Sequence, residues 1–329
     1  MNKKRLFKML LLAVVATVIS SNVPANAQTI NIQQVPTIAT DENVPVVYFI
    51  KDITPEGLMK VYKALERDLK GKVAIKISTG EAGNHHYLSP DLIKELVQSL
   101  DGTIVECNTA YGGKRAKTED HKKVAAEHGF TAIATVDIMD EEGSVSLPFP
   151  EGKRITEDLV GKNFVNYDSW LILSHFKGHE MGGFGGALKN LSIGIASVEG
   201  KAWIHSGGTS KTNPWGGKQN DFLEAMAEAA GAVMNKINDN AAYINVMNHL
   251  SVDCDCSSNP APPEMDDIGI LASLDPVALD KACVDLVYAS DTERSKSLRE
   301  RIESRNGMLT IIHAEELGLG TQKYKIVEL

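Results

Sequence analysis

The sequence predicts an α/β protein in which a mostly parallel sheet is covered by flanking helices, built either as one body or as two α/β lobes with a cleft between them. Two observations carry this. Short apolar runs of strand length alternate with amphipathic stretches of helix length along most of the chain. Residues able to do chemistry also gather directly after three of those runs, and open α/β sheets collect ligands at the carboxyl ends of their strands.

Val46–Ile50, just after Pro45, reads as the first strand, followed by a helix from about Thr54 to Leu69 and a strand at Val73–Ser78. Pro90–Leu100 reads as a helix, Thr103–Cys107 as a strand, Thr118–His128 as a helix capped by Thr118, and Thr131–Asp137 as a strand. A Pro/Gly-rich passage covers Leu147–Lys153, where a lobe boundary would fall. Trp170–Ser174 resembles the end of a buried strand, Asn220 caps a helix reaching about Ile237, and Tyr243–Met247 follows as a strand. Asp253–Asp266 is a loop, and Asp275-Pro276 joins an N-cap acceptor to a proline at the first helical position, opening a helix to about Tyr288. A charged helix near Ser295–Ser304 and a strand at Tyr324–Val327 complete the series.

The chain begins with Lys3, Lys4, Arg5 and Lys8, then an apolar core, then Ala25-Asn26-Ala27, the pattern of a leader cut after Ala27. On this reading residues 1–27 are a signal peptide, 28–43 an N-terminal extension and 44–329 the α/β domain, exported to the periplasm or secreted. No cysteine follows the apolar core to accept a lipid, and no later apolar run is long enough to span a bilayer, so no membrane insertion is expected after leader removal. The formal charge is −9, and the leader would carry off four of the 34 basic residues and none of the 43 acidic ones. Such an acidic chain argues against nucleic acid and anionic membrane as partners. At 6% aromatic residues it also offers little for stacking sugars.

The densest chemistry lies in Ser174–His205, with three histidines, three lysines and seven glycines. His175, His179, Lys189 and His205 frame Gly182-Gly183-Phe184-Gly185-Gly186, where Gly185 and Gly186 let backbone approach a ligand. Lys189 is followed by Asn190, so this is not a P-loop, but backbone N–H groups at the start of a helix over Gly186–Ile193 are candidates to hold an anion. A second cluster, Gly80–Tyr87, offers Glu81 as base or metal ligand and Asn84 as a ligand contact, with Lys76 on the preceding strand as an anion anchor. The third, Asn108–Arg115, brings Arg115 for bidentate carboxylate recognition and Tyr111 for proton transfer. His121, His128, His249 and His313 read as structural, without partners.

These residues point to a small anionic molecule bound through Lys189, Arg115 and the glycine loop, with His179 and His205 as proton carriers or metal ligands. A transition metal is the cofactor this set would take, and oligomeric state is left open. The chain would be an enzyme of proton-transfer or redox chemistry, or else a non-catalytic binder of a metal or small carboxylate. Cys254 and Cys256 add a thiol or metal site; their spacing reads as too close for a bridge within the pair, leaving free thiols, a bond to Cys107 or Cys283, or a metal.

The strings FKGH, GGFGGALKN and DIGILASLDPVA, together with Cys254-Asp255-Cys256, resemble the domain-of-unknown-function 362 family. Many of its members also hold ferredoxin-type cysteine runs, which this chain lacks. More distantly, the spacing of His179, Lys189 and His205 is similar to that in the nickel-pincer lactate racemase family. That resemblance implies Lys189 as the attachment point of a pyridinium thioamide cofactor, His205 as nickel ligand and His179 as acid/base. The family's Gly-Thr-His-Arg segment has here only the looser Tyr111–Arg115, without a histidine.

Overall fold

The computed structural model describes residues 43–290 and 292–329. The expected leader and most of the expected extension lie outside the described residues.

The chain alternates as predicted through β1 (Val46–Ile50), α1 (Pro55–Ala64), β2 (Val73–Lys76), α2 (Pro90–Ser99), β3 (Thr103–Glu106), α3 (Thr118–Glu127) and β4 (Val136–Ile138), except that the strand expected over Thr131–Asp137 opens as a 3-10 turn at Phe130–Ala132 and is extended only from Val136. A hairpin of β5 (Ser144–Pro148) and β6 (Glu157–Gly161) replaces the expected Pro/Gly-rich connection. Then come β7 (Ser169–His175), a small hairpin of β8 (Lys177–His179) and β9 (Gly183–Gly185), and the helices α4 (Ala187–Leu191), α5 (Val198–His205) and α6 (Gln219–Ile237). The chain ends with β10 (Ala241–Met247), β11 (Gly269–Ser273), α7 (Pro276–Ala289), α8 (Glu293–Ser304), α9 (Met308–Glu316) and β12 (Lys325–Glu328).

Eight strands form one sheet in the order β12-β1-β11-β10-β7-β2-β3-β4. Every neighbouring pair is parallel except the two made by β11. Both faces are covered, so the central strands are mainly apolar and alternate residues feed two cores. Leu171 and Leu173 of β7 pack with α1 and α2 through Leu58, Val61, Ile93 and Leu96. Trp170 and Ile172 face the other way, with Leu188, Ala230 and Val284. Among the described residues no helix is long and apolar enough to cross a membrane.

Caps explain most helix starts. Asp275 accepts from the N–H groups of Val277 and Ala278 ahead of Pro276, as the sequence suggests, and Thr292 closes a capping box with Ser295. Two expected caps are corrected. Helix α3 is entered from Lys117 and α6 from Lys218, neither with a side-chain cap, so Thr118 and Asn220 already lie inside their helices.

The start of α4 also differs from expectation. Its first N–H groups, on Ala187 and Leu188, donate to the buried carboxylate of Asp280 on α7 at 2.7 and 2.9 Å, and Asn245 Nδ2 donates to the same carboxylate at 2.7 Å. A Cβ on Gly186 would stand 2.3 Å from Asp280 Oδ1, which is why a glycine is needed there. The N–H groups expected to clamp an anion are therefore already occupied. Asp280→Ala would strand three buried donors, at about 1–3 kcal/mol each, so we expect a loss of about 3 kcal/mol or more in urea denaturation. A loss below about 1 kcal/mol would mean that water replaces the carboxylate.

Candidate functional site

Strands run away from one another in chain order on either side of the β2–β7 pair: β3 and β4 lie beyond β2, and β10 beyond β7. That is a topological switch point, where a crevice opens at the strands' carboxyl ends. Asn190 bridges it, its amide donating to the carbonyls of Lys76 and Leu173 and to Ser174 Oγ. Directly above lies a cavity of about 90 Å3, lined from the strand ends by Lys76, Glu106 and His175 and from the following segments by Arg115, Lys177, Lys189, Lys201 and Asp255.

Five basic side chains face that cavity against two carboxylates, and both carboxylates are already engaged. Glu106 accepts from Arg115 Nη1 at 3.2 Å, from His121 Nε2 at 2.8 Å and from the hydroxyl of Thr79. Burial pushes its carboxyl up, but Arg115 and His121 outweigh burial and hold it well below the usual range. Asp255 accepts from Lys177 Nζ at 2.6 Å and pairs with His175 Nδ1 at 3.0 Å; burial is again outweighed, here by Lys177 and His175, and the carboxyl is lowered. His175 turns its other nitrogen to the Asn248 carbonyl at 2.6 Å, so the imidazole is spent on holding the loop.

Lys76 donates to the Ile77 carbonyl and Lys201 to that of Ala196. The Lys189 amine has no hydrogen-bond partner among the described residues and opens into the cavity. Burial, reinforced by Lys177, lowers the Lys189 ammonium to about 7; burial lowers Lys76 to about 8 against the pull of Glu106.

A wider groove of about 1250 Å3 adjoins the cavity, lined by Glu81, Tyr111, His179, His205, Trp215, Cys254, Cys256 and Arg301. Tyr111, Cys254 and Cys256 belong to both spaces. The Tyr111 ring meets the His205 ring edge-on with centroids 4.9 Å apart. His205 Nδ1 lies 2.7 Å from the Lys201 carbonyl, so that nitrogen carries the proton and Nε2 keeps its lone pair. Burial lowers His205 to about 3, and it is neutral at ordinary pH. His179 is the opposite tautomer: its Nδ1 accepts from Gly182 N–H at 2.8 Å, which leaves the proton on Nε2. Burial, then Lys189 and His205, depress its pKa well below the usual value. Burial raises the Tyr111 phenol far above neutrality, so it remains a proton donor.

Of the residues read from sequence, Lys76, Arg115, Gly185, Gly186 and Lys189 line the cavity, His179 and His205 the groove, and Tyr111 both. Asn84 lines neither; its amide is spent on Ser257 and on the N–H of His86. Glu81 is not a free base, since its carboxylate accepts from the N–H groups of Ala82 and Lys114 and shapes the turn that presents Arg115. Gly113, at φ +84, passes so close that a Cβ would stand 2.5 Å from Glu81 Oε2. Of the four histidines read as structural without partners, three have hydrogen-bond partners: His121 joins Glu106, His128 the Thr79 carbonyl and His313 Glu228, while His249 meets the His86 ring edge-on.

The cysteine expectation is corrected as well. Cys254 and Cys256 are bonded to each other, because the loop bends at Asp255 and brings their Cα atoms to 5.3 Å, an ordinary span for a disulfide. Cys107 and Cys283 are free and buried. His179, Cys254 and Cys256 place possible ligand atoms within 4.8 Å of one another; His205 is not in that group.

The family model described as a domain of unknown function, DUF362, matches residues 73–285. The chain belongs to the DUF362 family. The matched segment runs from β2 into α7 and includes the residues of the cavity. No curated protein matches the chain. Among solved structures it is similar to the lactate racemase apoprotein from Thermoanaerobacterium thermosaccharolyticum, at 17% identity and a TM-score of 0.39 over 60% of this chain and 50% of that one. It is also similar to a protein from Thermotoga maritima, at 15% identity and a TM-score of 0.40 over 76% of this chain and 58% of that one. The chain thus spans between half and three fifths of the length of these structures.

Proposed function

We propose that this DUF362 protein is an enzyme that binds a small carboxylate or phosphate-like anion in the cationic cavity and moves a proton on it. The observation that carries the reading is the charge balance of the cavity: five basic groups, two carboxylates already engaged, and a Lys189 amine with no partner among the described residues. An anion there replaces the missing negative charge, and Lys189 and Lys76 are the groups placed to hold it. Tyr111, shared between cavity and groove, reaches the bound molecule as a proton donor, and His205 beside it offers a lone pair on Nε2 as base. Export, with the oxidised Cys254–Cys256 pair in an oxidising compartment, is part of the proposal.

The racemase resemblance implies a pyridinium cofactor on Lys189 with nickel on His205. The cavity that Lys189 enters holds about 90 Å3, well under the roughly 300 Å3 at which pockets for larger ligands begin, and although it opens on the groove that His205 lines, the Tyr111–Arg115 segment supplies no histidine there. The residues present do not fit that group, and the proposed chemistry runs without it.

One observation favours the alternative of a non-catalytic binder: neither His179 nor His205 lines the cavity itself. Calorimetric titration with sulfate and short carboxylates, paired with NMR detection of deuterium exchange next to the carboxylate, separates the two. Lys189→Met is expected to weaken binding at least tenfold on either reading, about 1.4 kcal/mol. His205→Gln is expected to keep binding and lose exchange. Binding without exchange of any carboxylate selects the binder, and no binding at all overturns both.

A further inference from the structure

The groove wall holds three residues that the anion reading does not use. Cys254 and Cys256 are partly accessible and line both cavity and groove, and the buried ring of His179 lines the groove beside them. Their possible ligand atoms all lie within 4.8 Å of one another, close enough to reach one ion once the bonded sulfurs part to the roughly 3.8 Å that two thiolates at about 2.3 Å on a tetrahedral Zn2+ require. With the sulfurs bonded to each other neither is a thiolate, so the oxidised protein offers only the histidine.

The loop that carries the cysteines is fixed by contacts other than the disulfide. Asp255, between them, is held by Lys177 and His175, and its carbonyl accepts from Glu81 N–H at 2.7 Å. Ser257 N–H donates to the Cys254 carbonyl at 3.0 Å, and Arg301 holds the Val252 carbonyl at 2.7 Å. Breaking the S–S bond therefore leaves the loop backbone in place on the groove wall, with the two cysteine side chains free to part their sulfurs. Lys177, Lys189 and Arg301 line the same two spaces, a cationic surrounding that favours thiolate over thiol.

We propose that the Cys254–Cys256 disulfide masks a metal site: after reduction by a dithiol, the two thiolates and His179 bind a thiophilic divalent cation such as Zn2+, leaving a fourth position open to the groove that all three residues line. Reduction is a thiol–disulfide exchange. A dithiol thiolate attacks one cysteine sulfur, forming a mixed disulfide while the other cysteine leaves as thiolate; the dithiol's second sulfur then displaces the first cysteine. Two electrons pass from the dithiol to the pair, the dithiol ends as a disulfide, and its protons go to the cysteines or to solvent. Metal binding releases whatever protons the cysteines carry. The two thiolate charges balance the cation, so the cationic neighbourhood is not an obstacle. His179 must give up its Gly182 bond or its Nε2 proton to coordinate, so the thiolates carry most of the affinity. The inference stands independently of the anion reading.

The test uses the full mature chain and Co2+ as a spectroscopic probe for Zn2+. One sample is oxidised; the other is reduced with dithiothreitol and desalted without air. The reduced protein is expected to bind one Co2+ per chain with a thiolate-to-cobalt charge-transfer band, displaced by Zn2+, and the oxidised protein to show no such band. Cys254→Ser with Cys256→Ser should abolish the band. His179→Ala should keep part of it and weaken binding by at least the roughly 10–100-fold that follows loss of an outer-shell partner. The proposal is overturned if reduced wild-type protein shows no band, if the oxidised protein shows an equal one, or if the band survives the double variant through Cys107 or Cys283. Because the first two outcomes are read on the wild-type chain, they hold even if a variant fails to fold.

Discussion

Replacing Glu106 by glutamine is expected to cost about 3–5 kcal/mol of stability at neutral pH, the usual cost of removing one partner from a buried ion pair. The side chain is almost fully buried at the end of β3 and takes hydrogen bonds from Arg115, His121 and Thr79. Glutamine keeps the volume but removes the charge, leaving Arg115 and the nearby Lys76 with no ionised carboxylate beyond the longer 3.7 Å contact from Arg115 to Glu81. Because the folded pKa of Glu106 is depressed, its contribution is fully present above its unfolded value near 4.5 and fades as pH falls below it. Wild type and variant should therefore converge in acid, as urea denaturation at a series of pH values would show. The same variant should bind sulfate more tightly, since the cavity then has one negative charge fewer. A stability loss under about 1 kcal/mol would place the pair with solvated surface bridges, and weaker sulfate binding would sink the cationic-cavity reading.

The fold was legible in the sequence where burial acts on whole segments. Strands such as β7 and β10 are covered on both faces and so stand out as largely apolar runs. The β5–β6 hairpin was hidden because Pro148 and Gly152 at its turn read as a loop; its short strands lie outside the main sheet, where proline is tolerated. Helix α5 was hidden for a related reason: Lys201 and His205 interrupt its apolar pattern, and both are buried because they face the cavity or the groove.

The candidate site divides along the same line. Lys76, Tyr111, Arg115 and Lys189 could be found because each lies on a strand end or in a glycine-rich segment after one. Lys177, Lys201, Glu106 and Asp255 could not, because what matters is their pairing. Lys177 meets Asp255 across 78 residues, and nothing in either local sequence announces the partner. The cysteine pair was misread through linear spacing alone, since a bend at one residue was enough to bring the sulfurs together.

Sulfate affinity is expected to fall on the order of 100-fold between about pH 6 and about pH 9 through Lys189 alone, and further through Lys76. Sulfate keeps a constant charge over this range, so the change reports on the protein. Burial lowers the Lys189 ammonium to about 7 and that of Lys76 to about 8. The protonated forms bind the anion, so affinity is highest below about 7 and declines as each amine loses its proton. Bound sulfate should in turn pull both amines back toward their ordinary values, with proton uptake on binding near pH 8 measurable by calorimetry in buffers of different ionisation enthalpy. Lys189→Met should weaken binding in acid and remove the step near 7 while leaving the one near 8. Lys189→Arg, which stays charged throughout, should hold its affinity across the lower step. An affinity that is flat or rising over this interval in the wild-type chain would show that Lys189 does not hold the anion, and the glycine-lined cavity would then need another occupant.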